Sequence, residues 1–366
     1  MKIAILGTRG IPNNYGGPEA NAEFLSPIFR RLGHEVTVYS PDEHPYAADE
    51  WNGIRLRRKF NRESRLGIWG TVTYDYLCLR DALRSDFDII LELGYVPCAL
   101  FFPLRRKGRG RLVTNMDGLE WQRSKWNFVL KRCAEFTEYL GAKFSDGLIA
   151  DNEAIKDYLL EKYDKHSYFI PYGAQPVAAP RDDAHLSSRQ LTAGEYHMLI
   201  ARMEPENNIE MILDGYVAAT LERPFIVVGK TVTPYARRLL EKYRGNPRIR
   251  FVGGIYDYAE LSALRWDSAL YFHGHSVGGT NPSLVEAMAS HAFIVAHDNR
   301  FNRAVLEENA WYFASVDGVA TILRQDHGGV RERFIEANLA KVGRVYDWEK
   351  VAREHLRVFE ELLARG

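Results

Sequence analysis

The chain has little cysteine, no net charge and no long apolar run, and each shortage removes a class of protein. Three cysteines, Cys78, Cys98 and Cys133, stand among 366 residues, with no C-x-x-C pair. That is neither a disulfide framework nor a thiolate zinc site, and it fits a reducing compartment. Lys plus Arg and Asp plus Glu both number 48. Without a basic excess, a dedicated nucleic-acid binder loses support. No stretch approaches the ~18 consecutive apolar residues of a membrane helix. The opening MKIAILGTRGIP runs apolar only over residues 3–6 before a glycine turn, too short for the ~7–15-residue core of a secretory signal. A soluble cytoplasmic protein is the expectation. Low-complexity tracts and short repeats are also missing.

What is present is a large apolar fraction, 46% of residues, enough for two cores in a chain of this length at ~150 residues per domain. Residues 2–6 read as a buried strand. Residues 19–32 carry Phe24, Leu25, Ile28, Phe29 and Leu32 at helical spacing, with Gly33 as a stop. Short apolar runs follow at 34–39, 88–93, 112–115 and 148–150. Alternating β and α segments predict an α/β protein with a parallel, doubly wound sheet. Residues 173–195 break the alternation and read as a linker. It resumes with runs at 197–201, 225–228, 249–252, 270–272 and 293–296. The prediction is two Rossmann-like domains facing a cleft, with chemistry in the loops that follow strands.

Four such loops stand out. Gly7-Thr8-Arg9-Gly10 through Gly16-Gly17 follows the first strand and is not G-x-G-x-x-G, so a nicotinamide cofactor is poorly supported. Gly16 and Gly17 would let backbone approach an anion, with Arg9 adding a cation; a plain surface loop is the alternative. Arg202 and Lys230 each follow a strand and could grip phosphate, or be ordinary surface ion-pair residues. Asn207 or Asn208 could cap a helix. In H273-G-H-S-V-G-G-T-N-P-S-L-V-E-A-M-A289, Thr280 or Asn281 suits an N-cap and Pro282 the first helical position. Ser283 then lies in the first turn, whose amides could hold a diphosphate, and Glu286 within reach of a sugar hydroxyl. His273 and His275 invite a metal reading, but further ligands are lacking, and a polar hydrogen-bonded loop fits as well. Fourth, N115-M-D-G-L-E-W121 offers Asp117 and Glu120 to sugar hydroxyls or as a base, and Trp121 to stack on a ring. Asp86-Phe87-Asp88 resembles a metal-binding D-x-D but precedes its strand, so it reads as a loop feature.

Residues 51–145 hold 18 Lys and Arg against 10 Asp and Glu. This local excess could dock on an anionic lipid face at ~1 kcal/mol per cation, or form solvated loops.

The segments KIAILGTRGIPNNYGGPE, NMDGLEW, ARMEPENNIEMI, HGHSVGGTNPSLVEAMAS and YDWEKVA together resemble the retaining nucleotide-sugar glycosyltransferases of family four. The likeness lies nearest their bacterial rhamnosyltransferase branch. That resemblance implies a GT-B fold: residues 1–180 as an acceptor domain, 181–346 as a nucleotide-sugar domain, and 347–366 as a helix crossing back to the first. Taken with the readings of the residues above, it gives Asp117, Arg202 and Glu286 as catalytic, and Gly16 and Gly17 (on the donor diphosphate or the acceptor), Arg9, Lys230, Gly279, Thr280, Asn281 and Ser283 as donor-binding. Glu19, Glu120 and Trp121 would bind acceptor. Glu286 matches the second glutamate of the family's E-x7-E motif, usually on the donor ribose. No metal and no cofactor is implied beyond the nucleotide-sugar co-substrate. The implied reaction moves a sugar, L-rhamnose from dTDP-rhamnose in the first reading, with retention onto a glycan or a polyprenyl-diphosphate-linked oligosaccharide in cell-surface polysaccharide synthesis. A UDP-hexose donor and a non-catalytic binding subunit stand as alternatives. The chain departs from the family at three places. The first glutamate falls at Gly278, the lysine that partners the arginine at Asn207, and the first-domain histidine at Met116.

Overall fold

Alternating apolar runs and helical segments resolve into one largely parallel and one wholly parallel sheet in the computed structural model. It describes all residues except 15, 106–109, 117, 124–126, 181 and 366. The chain divides into two units, Met1–Tyr172 with Trp348–Gly366, and Gly173–Asp347.

The first unit holds β1 (Lys2–Leu6), β2 (Glu35–Pro41), β3 (Glu50–Trp51), β4 (Ile54–Lys59), β5 (Ile89–Glu92), β6 (Arg111–Asn115), β7 (Gly147–Ala150) and β8 (Tyr168–Phe169). Their order is β3-β4-β2-β1-β5-β6-β7-β8, and only β3 and β4 pair antiparallel. Ile3 sits opposite Val36 on one side and Ile89 on the other. Ile3 to Leu6 are all buried, as expected of a central parallel strand covered on both faces.

Helix Gly17–Arg31 starts with Pro18 in its first turn and buries Ala22, Leu25 and Phe29, a stripe at i, i+3 and i+7. Against it lies helix Trp348–Ala364. Trp348 stacks on Phe24 at 4.8 Å, and Phe359 meets Phe29 at 6.0 Å. Val351, Leu356, Phe359 and Leu362 join the same core as Ile5 and Leu91. Each such side chain contributes about 1.5–3 kcal/mol by burial.

The second unit holds β9 (His197–Ile200), β10 (Phe225–Val228), β11 (Ile249–Gly253), β12 (Leu270–His273), β13 (Ile294–His297) and β14 (Trp311–Phe313). All pairs are parallel, in the order β11-β10-β9-β12-β13-β14. The segment read as a linker is instead largely part of this unit. It contains helix Ala184–Ser187, and Ala174 and Leu186 are buried in the core with Tyr196 and Tyr271.

Strand order reverses once in each sheet. Chain order runs outward from β1 through β2 on one side and resumes at β5 on the other. The second sheet does the same around β9, between β10 and β12. Such switch points leave a crevice at the carboxyl ends of the strands. The loops after β1 and β5, and those after β9 and β12, flank them.

Candidate functional site

In the second unit, the loops after β9 and β12 are tied together. Asn208 Nδ2 donates to the Gly274 carbonyl at 2.8 Å, and Ser276 Oγ donates to the Glu206 carbonyl at 2.8 Å. A Cβ on Gly274 would lie 2.1 Å from the Asn207 carbonyl, so only glycine permits this approach. Arg202 projects from this frame, its side chain 67% exposed, with Glu204 Oε2 at 4.0 Å. Lys230, exposed after β10, lies 5.2 Å from the Tyr256 ring centre. Both cations thus sit on the loop edge proposed from sequence.

Helix Pro282–Ala289 follows the loop after β12. Asn281 is its N-cap, accepting from Ser283 N at 2.9 Å. Thr280 is buried and Gly279 half-buried just before it. Glu286 lies a turn further on. Its Oε2 accepts from Arg265 Nη2 at 2.7 Å, and Ser283 Oγ shares a hydrogen bond with Tyr271 Oη at 2.9 Å. Arg265 was missed from sequence. Its place beside Leu264 and at i+3 from Ser262, the other buried positions of helix Tyr258–Trp266, was the available signal. His273 is fully buried and stacks on His275 at 4.4 Å. Burial, then the neighbouring His275, keeps His273 neutral, well below the ordinary imidazole range.

The corresponding loop of the first unit is built differently. Gly7, at φ +75, has no room for a Cβ, which would lie 2.2 Å from both Glu92 Oε1 and Gly94 N. Arg9 is not an outward cation. Its Nε donates to Glu63 at 2.8 Å, and Nη1 lies 3.9 Å from buried Asp75. Burial opposes its charge, but Asp75 and Glu63 outweigh that and hold it protonated. Glu19, expected on the acceptor, is buried and accepts from the Arg9 backbone at 2.5 Å. Arg9 turns onto acids that the helices at 63–66 and 68–84 bring to it, and Glu19 turns back onto the loop's own backbone. Gly16 caps and Gly17 starts helix Gly17–Arg31 in half-buried positions. Burial pushes Asp75 up to about 7 and Glu92 up to about 8.

Glu120 pairs with Arg123 at 2.6 Å, and Lys162 lies 5.0 Å over the Trp121 ring. Asp117 lies outside the described residues. Asp86 and Asp88 both engage Lys2, through its side chain and its backbone amide respectively, at the amino end of the sheet. The basic run at 55–59 is partly neutralised, Arg57 and Lys59 by Asp81 and Arg58 by Asp49. Arg105 pairs with Asp146, and residues 106–109 are not described.

The three positions that depart from the resembled pattern have distinct surroundings. Gly278 sits at φ +120, which L side chains rarely adopt. Asn207 is buried and braces the Arg202 carbonyl through Nδ2 at 2.7 Å. Met116 is buried beside Gly141. Among the described residues, no three His, Cys, Asp or Glu side chains gather to hold a metal ion.

Residues 1–175 match the family described as a domain of unknown function (DUF1972). The phosphatidyl-myo-inositol mannosyltransferase of Mycobacterium tuberculosis is 27% identical over 241 residues, covering 60% of this chain and 61% of that protein. The match therefore spans about three-fifths of that relative's length. Its namesake in Mycolicibacterium smegmatis is 27% identical over 369 residues, covering 96% of this chain and 92% of that one. Sucrose-phosphate synthase from Thermosynechococcus elongatus superposes with a TM-score of 0.81 at 17% identity, over 100% of both chains. Anabaena Alr3699/HepE in complex with UDP superposes at 0.75 and 15% identity, over 99% of this chain and 100% of that one. The fold is thus the GT-B class: two parallel-sheet, Rossmann-like domains in one chain. Among the described residues, no helix is long and apolar enough to cross a membrane.

Proposed function

We propose that the protein is a retaining glycosyltransferase whose nucleotide-sugar donor binds at the carboxyl edge of the second sheet. One observation carries this reading. An arginine that is 67% exposed and a capped helix start stand on the two loops that flank the β9/β12 switch point. A diphosphate needs both a cation and oriented amide dipoles. Lys230 offers a second cation on the next loop. Glu286 accepts from a ribose hydroxyl.

The bond from the anomeric carbon to the diphosphate oxygen breaks, and its electron pair leaves with the nucleoside diphosphate. The acceptor hydroxyl oxygen forms the new bond on the same face, and its proton goes to the departing phosphate. No protein nucleophile is needed. Arg202 and the helix start meet the charge that develops on the leaving group, where preorganised donors act most strongly and no metal is required.

The resemblance carried by HGHSVGGTNPSL supports dTDP-rhamnose as donor. A second reading, a UDP-hexose, is favoured by Alr3699/HepE, solved in complex with UDP-glucose. The first unit takes the acceptor, a glycan or polyprenyl-diphosphate-linked oligosaccharide, with Glu120 and Trp121 in contact and Asp117 at the reacting hydroxyl. Helix Phe128–Phe144 exposes Phe128, Val129, Phe136 and Tyr139 alongside Arg132 and Lys143. An aromatic and basic face of this kind suits peripheral contact with an anionic lipid surface.

Thermal shift with dTDP, UDP, GDP and ADP, followed by their sugars, tests the reading. A ligand at 100 times its Kd adds about 2.7 kcal/mol of stability. A shift with dTDP and dTDP-rhamnose alone supports rhamnosyl transfer. A shift with UDP alone removes rhamnose and keeps the reaction. The absence of any shift, with no turnover when acceptor is added, overturns the enzyme reading in favour of a binding subunit.

A further inference from the structure

Arg265 stands at the end of helix Tyr258–Trp266, and its side chain is 1% exposed. Burying a guanidinium is costly unless it is well paired. This one concentrates its pairing on one nitrogen. Nη2 donates to Glu286 Oε2 at 2.7 Å and to Ser283 Oγ at 3.3 Å. Nε and Nη1 are buried without a hydrogen bond among the described residues. The guanidinium carbon lies 5.8 Å from the Tyr271 ring centre, and Tyr271 Oη holds the same Ser283 hydroxyl at 2.9 Å. An apolar side chain would fill this space without leaving two donors unpaired. The arginine makes physical sense through what it does to Glu286.

Glu286 is 30% exposed. Its Oε2 is turned inward onto Arg265, and Oε1 makes no hydrogen bond among the described residues. A freely rotating carboxylate can offer two oxygens to two neighbouring hydroxyls. With Oε2 engaged by Arg265, Oε1 is the oxygen left for a ligand.

The geometry points to Arg265 as a positioning residue that fixes Glu286 to read one ribose hydroxyl of a bound nucleoside diphosphate, not the 2′,3′ pair. The inference rests on the donor-site reading above. It sets a specificity rule: the site tolerates loss of one ribose hydroxyl and not the other. If the tolerated loss is at the 2′ position, thymidine and uridine donors fit the same sugar contact.

Calorimetric affinities of UDP, 2′-deoxy-UDP, 3′-deoxy-UDP and 2′,3′-dideoxy-UDP test it. In the wild type, one single deletion is expected to cost on the order of tenfold in affinity and the other less than about twofold. Arg265→Met removes a buried charge and leaves Glu286 in contact with solvent, so a folded variant is expected; melts without nucleotide check this. Arg265→Gln, neutral and still a donor, is the second variant. In Arg265→Met the tenfold penalty is expected to fall to about threefold or less, while 2′,3′-dideoxy-UDP binds within about twofold of wild type. Equal penalties for both deletions, or none for either, overturn the inference. So does an Arg265→Met variant that loses affinity equally for all four nucleotides, which is the mark of a merely structural role. Failure of the wild type to bind any of the four, and dTDP, GDP and ADP besides, overturns the donor-site reading as well, so the two failures are told apart.

Discussion

The two switch points share a topology and differ in where their charge points. After β1, Arg9, Glu19, Asp75 and Glu92 turn into the protein, and the arginine is paired twice. After β9 and β12, the frame is made by backbone and amide hydrogen bonds, and Arg202 stands outward. In the first unit, ion pairs shape the loop. In the second, neutral groups shape it and leave the charge for a ligand. An arginine after a strand therefore has no fixed meaning; the acids that reach it decide.

The contrast breaks most sharply if the two arginines are exchanged in their effects. Arg9→Met is expected to destabilise the protein by about 2–4 kcal/mol, because Asp75 loses its partner in the interior; a urea melt measures this. Arg202→Ala should leave the same melt within about 0.5 kcal/mol. It should lower kcat/KM with the identified donor by about 100-fold. If Arg202→Ala destabilises and Arg9→Met does not, the assignment of the two loops is reversed.

The acids sharpen the comparison through pH. Burial pushes Asp75 up to about 7 and Glu92 up to about 8. Between the ordinary carboxyl range and those values, the folded protein keeps protons that the unfolded chain has released. The contribution of these two acids to stability therefore falls as pH rises from about 5 to 8, while the histidines that burial keeps neutral, His197, His273 and His355, act in the opposite direction below about pH 6.5. Glu92→Gln should flatten that fall and raise stability at pH 8.5 by roughly 2 kcal/mol, read from urea midpoints at pH 5.5 and 8.5. The smallest effect is expected at Gly278. Placing the family's glutamate there, Gly278→Glu, should cost about 1 kcal/mol of backbone strain at φ +120 and should not raise turnover.

Much of this architecture was legible because buried parallel strands are short apolar runs. Ile3 to Leu6 and Phe225 to Val228 are buried throughout, and their sequences announce it. β4 was not legible. Its sequence Ile54-Arg55-Leu56-Arg57-Arg58-Lys59 reads as a basic cluster until Asp81 and Asp49 are brought to it by the fold. β8 and β14 have only two and three residues, too few to show a period. Residues 173–195 looked like a linker because Ala, Pro, Gly and Ser dominate them, and the burial of Leu186 is a tertiary fact. The helix start at Asn281-Pro282 was readable, since cap and proline are local signals. Arg9 was misread because Glu63, its partner, lies 54 residues further along the chain.

The closing helix has a consequence for how the chain is made. Trp348–Gly366 completes the unit that Met1 begins, so the second unit is threaded between the two parts of the first. During synthesis the first unit is started first and finished last. Until the final turns emerge, Leu25, Phe29 and their neighbours lack the cover that Val351, Leu356 and Phe359 supply. Gly173–Asp347, continuous in sequence, can close its core earlier. A ribosome carrying this protein thus holds an unfinished apolar surface for roughly 10–40 s at ~5–20 residues per second.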